Sequence, residues 1–335
     1  MKAVAFTHSH PINHEDALID IELPMPEPRR HDLLVEIKAV SVNPVDTKVR
    51  RHDEPLGETR VLGYDAAGIV RAVGPDVSHF GVGDDVYYAG VINRPGTNAE
   101  YHLVDERIVG RKPKTLSFAQ AAALPLTSLT AWEMLFDRFK IPRDQTMQGN
   151  ILIVGGAGGV GSMAVQLLSK LTDLTVIATA SRPETVEWCK ALGAHHVINH
   201  HHDMAKQIAD LGLEAPDYVF CTTHEATHWN AIGHIVAPEG AIGIIESGKP
   251  LDFSVIMKKC VSVHPEYMFA RALLQTKTMS GQHRILEAVA HLVDNGTLRT
   301  TMTEDYGLIN AANLKRAHAA LESHSVMGKI VLGGF

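Results

Sequence analysis

Three glycines, Gly156, Gly158 and Gly161, stand at GxGxxG spacing directly after the apolar run Ile151-Leu152-Ile153-Val154 and ahead of a segment with helical periodicity. Glycine permits a tight turn and close backbone approach. The main-chain N–H groups of this loop, including those of Gly159 and Val160 at the expected helix start, can therefore meet a pyrophosphate at the positive end of a helix. A glycine-rich turn that binds nothing is the bland alternative, and the strand-then-helix context argues against it. Further on, where an Asp or Glu would receive the ribose hydroxyls of NAD, the chain reads Ala180-Ser181-Arg182. A carboxylate there would repel a 2′-phosphate, whereas a hydroxyl and a guanidinium can donate hydrogen bonds to it. The chemistry expected is hydride transfer with NADPH. The competing reading is an exposed arginine in a loop that binds NAD weakly.

The elements that would position this loop emerge from the pattern on either side of residue 120. Before it come short β-rich runs such as LLVEIKAVSV (33–42) and DDVYYAG (84–90), cut by Pro and Gly turns, which predict an antiparallel or barrel-like domain. After it, strands alternate with helices. ILIV precedes a helix from about Gly159, LTVIATA (174–180) precedes PETVEWCKALG (183–193), and HHVIN, DYVFC and AIGIIE come next at the spacing of a doubly wound parallel sheet. The tail, with the amphipathic HRILEAVAHLVDNG (283–296) and a final strand GKIVLGGF, is placed with the first domain. The fold class is α/β.

A chain of 335 residues with 45% hydrophobic content is long enough for two cores. A net charge of -7 with scattered Lys and Arg argues against nucleic-acid partners. No signal peptide follows Met1 and no run is long enough to span a membrane, so a cytoplasmic protein is expected. Cys189, Cys221 and Cys260 lie far apart, which excludes a disulfide framework and points to three buried thiols.

Longer stretches carry a resemblance. AVSVNPVDTKVR (39–50), GYDAAGIVRAVG (63–74), FGVGDDVY (80–87), AAALPLTSLTAWEML (121–135), the glycine loop and GAHHVIN (193–199) are similar to the medium-chain dehydrogenase/reductase superfamily, and within it to the zinc-free quinone oxidoreductases of the zeta-crystallin type. TASRPET and HPEYMFAR resemble a subgroup labelled zinc-type alcohol dehydrogenase-like. The resemblance implies a GroES-like catalytic domain over 1–122, completed by 270–335, with a Rossmann cofactor domain at 123–269.

That label makes zinc the question. The resemblance places metal ligands of zinc-dependent relatives where this chain has Asn43, Tyr64, Asp65 and, approximately, Leu126. A catalytic zinc needs three N, S or O ligands and an open position, and these side chains are not the expected set. No metal is expected, and the histidine run in NHHHD (199–203) reads as a polar turn. Without a metal, an unactivated alcohol is hard to oxidise: bringing a bound water's pKa from about 15.7 to about 7 is on the order of 12 kcal/mol of help. Reducing a conjugated carbonyl needs only a hydrogen-bond donor and a proton for the anion that forms. Tyr64 is the candidate donor, its alternative role being to fill the vacated metal pocket.

The resemblance further implies that Asn43 touches the nicotinamide ribose or substrate oxygen, unless Asn-Pro is only a turn, and that Thr130 contacts the nicotinamide end, unless it is a core threonine. Asp46 either orients a neighbour or serves as a structural acid. His200 and His324 stand where relatives hold the 2′-phosphate with a tyrosine and a basic residue. The expected activity is an NADPH-dependent quinone or enone reductase. Another zinc-free reductase, of enoyl-thioesters or aldehydes, and a non-catalytic NADPH-binding protein are the alternatives. The substrate pocket is expected on RRHDEPLGETR (50–60) and EYMFARALLQ (266–275). In 244–264 two short apolar runs, separated by the turn signal Ser-Gly-Lys-Pro, are read as strands at the sheet edge, and a homodimer is expected through them unless they only finish the monomer's own sheet, an expectation that light scattering tests.

Overall fold

Strand runs cut by turns build the start of the chain, as its Pro and Gly punctuation predicts. The computed structural model describes residues 1–335 apart from Leu56, Gly57, Asp144, Gln145, Glu246 and Ser247. It divides into one unit of Met1–Leu129 with Phe269–Phe335 and a second of Thr130–Met268. The first opens with β1 (Lys2–Phe6), β2 (Ile19–Glu22), β3 (Asp32–Ser41), β4 (Arg60–Val61), β5 (Ala66–Val73), β6 (Asp85–Tyr88), β7 (Tyr101–Asp105) and β8 (Val109–Arg111). The second holds β9 (Asn150–Val154), β10 (Thr175–Thr179), β11 (His196–Ile198), β12 (Tyr218–Cys221), β13 (Ala241–Ile244) and β14 (Ser262–Pro265). The tail returns to the first unit with β15 (Met302–Asp305) and β16 (Lys329–Gly333).

In the first unit a small sheet runs β2-β1-β4, and a larger one runs β15-β16-β3-β5-β6-β8 with β7 also pairing β3. Two registers in the larger sheet bring distant residues together. Antiparallel pairing sets Val40 opposite Ala66, and Val331 opposite Ser41. The end of β3, the start of β5 and the start of β16 therefore converge. Beyond β3, Pro44 opens the helix Pro44–His52, where its missing N–H costs nothing, and Asn43 stands at the N-cap.

The second unit is a six-stranded sheet in the order β11-β10-β9-β12-β13-β14, parallel at every pairing. That order reverses direction at β9, the doubly wound arrangement whose ligands sit beyond the carboxyl ends of the strands. Its strands bury a continuous core that includes Leu152, Val154, Ile177, Val219 and Ile242.

Two expectations are corrected. Among the described residues, the stretch 244–264 does not form two strands of its own: Ile244 ends β13, Ser254–Met257 is a single helical turn, and β14, the outer strand of the sheet, begins at Ser262. Part of its turn signal, with Leu56 and Gly57 of the expected substrate loop, lies outside the described residues. Cys260 is exposed, whereas Cys189 and Cys221 are buried as expected. Among the described residues no helix is long and apolar enough to cross a membrane.

Burial in the helix Ala311–Glu322 creates a pH liability. His318 has no exposed surface and neither ring nitrogen has a partner among the described residues. Desolvation first, then the Arg50 charge, pushes it down to about 3. The unfolded chain, with a histidine near 6.5, therefore takes up a proton that the native state refuses. The stability this group leaves intact above about pH 6.5 is lost as pH falls toward 3. His318→Leu should gain on the parent by about 1.4 kcal/mol between pH 7.5 and 5.5, read from denaturant melts at both pH values. An equal difference at both would sink this account.

Candidate functional site

The converging ends of β3, β5 and β16 assemble one connected polar set inside the first unit. Asn43, Asp46, Asp65 and Lys329 are all buried. The Lys329 ammonium donates to the Val42 carbonyl at 2.7 Å, to Asn43 Oδ1 at 2.5 Å and to Asp65 Oδ2 at 3.1 Å. Asn43 Nδ2 donates to the same Asp65 oxygen at 2.8 Å, and the Leu126 amide donates to Asp65 Oδ1 at 2.8 Å. Asp46 takes the Asn43 amide at 2.6 Å on one oxygen and the Gly63 amide at 3.1 Å on the other. Burial is the main force on both carboxyls. It pushes Asp46 up to about 7 against the Asn43 and Gly63 amides and the Lys329 charge. It also raises Asp65, opposed by Lys329 and Asn43.

Tyr64 stands between these anchors. Its neighbours on both sides are tied down, Gly63 through its amide and Asp65 through its side chain. The ring is 1% exposed and packs edge-on against Phe269, with centroids 5.3 Å apart. Its hydroxyl has no hydrogen-bond partner among the described residues. Burial, then the Asp46 charge, raises the phenol to about 12, with the charge and the side chain of Arg60 pulling the other way. It is a protonated donor at neutral pH.

Asn43, Asp46 and Tyr64 are thus brought together, but in unequal states. The Asn43 amide spends its oxygen on Lys329 and a nitrogen proton on Asp65, so the ligand contact expected of it competes with internal bonds. Asp46 has the bonding of a structural acid. Lys329 went unnoticed in the sequence, where the available signal was a lysine heading the otherwise apolar strand GKIVL.

In the second unit the glycine loop follows β9, and the helix Gly159–Leu171 starts with Gly158 as N-cap. The amides of its first turn, at Gly159, Val160 and Gly161, have no carbonyl four residues back within the helix. The glycines differ in why they are needed. A Cβ on Gly161 would lie 2.2 Å from the Gly155 carbonyl oxygen, and one on Gly156 would lie 2.7 Å from Ala178 Cβ. A Cβ on Gly158 would meet only the Gly155 carbonyl oxygen, at 3.5 Å. Internal packing explains Gly156 and Gly161, whereas Gly158 leaves room for something from outside. Gly155, at φ +84°, makes the turn itself and was not singled out in the sequence.

Thr179 pairs with Ile198 across β10 and β11, so Ser181 and His200 each follow their strand's paired end by two residues. The Arg182 guanidinium lies 3.2 Å from Glu184, and both side chains are largely exposed. Such a pair is weak and can yield to a stronger anion. The His200 ring centroid is 4.3 Å from that of His201 and 5.7 Å from that of His228. Burial, then these imidazoles and His224, lowers His200 to about 4, so it brings no fixed charge at neutral pH. Thr130, buried on the helix Pro125–Trp132, is the first residue of the second unit. His324, exposed beyond the helix Ala311–Glu322, belongs to the first.

Residues 29–114 match the alcohol dehydrogenase GroES-like domain family, and residues 159–290 match the zinc-binding dehydrogenase family. A zinc-type alcohol dehydrogenase-like protein of Staphylococcus aureus is 40% identical over 335 residues, with 99% of each chain covered. The crystal structure of a Rhizobium etli CFN 42 protein, provisionally described as a zinc-dependent alcohol dehydrogenase, superposes with a TM-score of 0.96 at 58% identity, covering 100% of this chain and 98% of its own. Over 57% of this chain and 51% of its own, the chloroplastic NADPH-dependent alkenal/one oxidoreductase of Arabidopsis thaliana is 34% identical.

The zinc in those family descriptions does not fit the residues here. The oxygens that a cation would use, Asn43 Oδ1 and Asp65 Oδ2, already receive the Lys329 ammonium. Among the described residues no group of three or more His, Cys, Asp or Glu is arranged to hold a metal ion. The two matched domains, the whole-length relatives and the α/β architecture establish the chain as an oxidoreductase of the medium-chain dehydrogenase/reductase superfamily.

Proposed function

We propose that this protein is an NADPH-dependent reductase of quinones or α,β-unsaturated carbonyls that works without zinc. The observation that carries this reading is the Tyr64 hydroxyl, a buried donor on an anchored peptide with no partner among the described residues. A buried polar atom left unpaired in a native fold calls for a reason, and a developing oxyanion supplies one. Reduced nicotinamide, when bound, supplies the hydride. Tyr64 donates to the enolate or hydroquinone oxygen as charge builds there, with no bond of its own to break first. The glycine loop and the first turn of the helix Gly159–Leu171 offer amides to the pyrophosphate, and Ser181 and Arg182 offer donors to the 2′-phosphate. The Arabidopsis relative's description as an NADPH-dependent alkenal/one oxidoreductase agrees with this assignment.

NADPH oxidation, followed by its near-ultraviolet absorbance over quinones, enones, aldehydes, enoyl thioesters and alcohol–NADP⁺ pairs, should show turnover of the first two classes. Turnover confined to alcohols, aldehydes or thioesters, or to none, would overturn the assignment.

NADPH should bind at least tenfold more tightly than NADH, which is about 1.4 kcal/mol. Arg182→Ala should remove most of that margin, because the guanidinium exchanges Glu184 for the phosphate while the neutral His200 contributes no charge to replace it. Equal affinities of the parent protein for the two nucleotides in calorimetry would refute the 2′-phosphate assignment.

A further inference from the structure

The disagreement between the zinc of the family descriptions and the residues present has a constructive side. An ammonium has three protons to donate, and Lys329 places one each on Val42, Asn43 and Asp65. Three of the four positions at which the sequence resemblance places the metal ligands of zinc-dependent relatives join this set through their own groups: Asn43 by its amide, Asp65 by its carboxylate and Leu126 by its backbone N–H. The fourth, Tyr64, is the residue held between Gly63 and Asp65. A divalent cation among these oxygens would have to displace a buried ammonium that satisfies them already.

We infer that Lys329 is the fixed cation of this site, closing the metal-ligand positions against zinc and, through Asp65, holding Tyr64 where its hydroxyl can donate. Lys329 is a positioning residue, since its contacts are to Val42, Asn43 and Asp65. The chain of action is short. Lys329 fixes the Asp65 carboxylate, Asp65 binds the Leu126 amide with its other oxygen, and the peptide carrying Tyr64 cannot rotate without breaking one of these bonds. The register Val331 opposite Ser41 sets the head of β16 beside Asn43 and puts the ammonium in place.

This inference rests on the assignment of Tyr64 as donor, and a double-mutant cycle separates the two. Lys329→Met keeps an unbranched stem and removes the charge. It should lower kcat with an enone at least tenfold, with KM for NADPH changed less than threefold. In a Tyr64→Phe background the same substitution should cost less than twofold, because the group it positions is already gone. Asp65→Asn/Lys329→Met removes both charges. It should recover the thermal midpoint lost in Lys329→Met without recovering kcat, and it keeps the test available should the single variant fail to fold.

Parental kcat in Lys329→Met, full recovery of kcat in the neutral pair, or losses that multiply in the Tyr64→Phe background would each overturn the positioning role. Stoichiometric zinc in the purified parent protein would overturn the closure of the metal site. A silent Tyr64→Phe beside an impaired Lys329→Met would instead sink the donor assignment, so the two failures are distinguishable.

Discussion

Replacing Tyr64 with phenylalanine should lower kcat for an enone by about tenfold to a thousandfold, the scale of losing one oxyanion donor, with NADPH affinity unchanged. The phenol is raised to about 12 by burial and the Asp46 charge, so it remains a donor throughout the range in which the protein would be assayed. Its hydroxyl has no partner among the described residues, so substrate binding breaks no internal bond there. The ring contact with Phe269 survives the substitution. Deleting an unpaired buried hydroxyl leaves no orphaned partner and carries little stability cost. A normal thermal midpoint with a collapsed kcat is therefore the signature. A quinone should lose less than an enone, because aromatisation stabilises its reduced anion and water can protonate it. Parental enone turnover in Tyr64→Phe would assign the ring to pocket filling and leave protonation to solvent, with binding and orientation as the protein's contribution.

The glycine loop should separate structural from ligand-directed glycines just as sharply. Gly161→Ala drives a Cβ to 2.2 Å from the Gly155 carbonyl oxygen and 2.8 Å from Gly156 Cα, both backbone atoms, so the strand-to-helix turn must open. Overpacking of this kind costs about 1–3 kcal/mol or more, and denaturant melts should show it. Gly158→Ala meets no such obstacle and has an ordinary extended backbone at φ -72°. Its stability cost should stay below about 1 kcal/mol, that of a poorer N-cap. Yet a methyl group there enters the space left for the pyrophosphate beside the first-turn amides, and calorimetric titration should show NADPH affinity reduced at least tenfold. Undiminished affinity in Gly158→Ala would show that the dinucleotide does not approach the loop at this residue.

The parts legible in the sequence are those written in local chemistry. Glycine spacing after an apolar tetrad, strand and helix periods at 151–198, and the Ala180-Ser181-Arg182 strand end each depend on residues within a few positions of one another, and β9, β10 and β11 with their helices stand where those patterns put them. The expected second strand in 244–264 failed for a local reason as well: Phe253, Ser254, Val255, Ile256 and Met257 close a one-turn helix, and an apolar run that short does not distinguish strand from helix. The π-helical turn Glu133–Arg138 had no such signature either.

The polar set around Tyr64 lies beyond local patterns altogether. Lys329 and Asn43 are separated by 286 residues, and only the antiparallel pairing of β16 with β3 makes them neighbours. From sequence alone Asn43 and Asp65 read as lost metal ligands. In the folded chain they are partners of an ammonium. By itself the sequence determined which side chains the site lacks, because ligand chemistry depends on residue type. Which cation neutralises the remaining oxygens, and which hydroxyl is left unpaired, was decided by the tertiary structure, because buried charges and donors are satisfied through space and not along the chain.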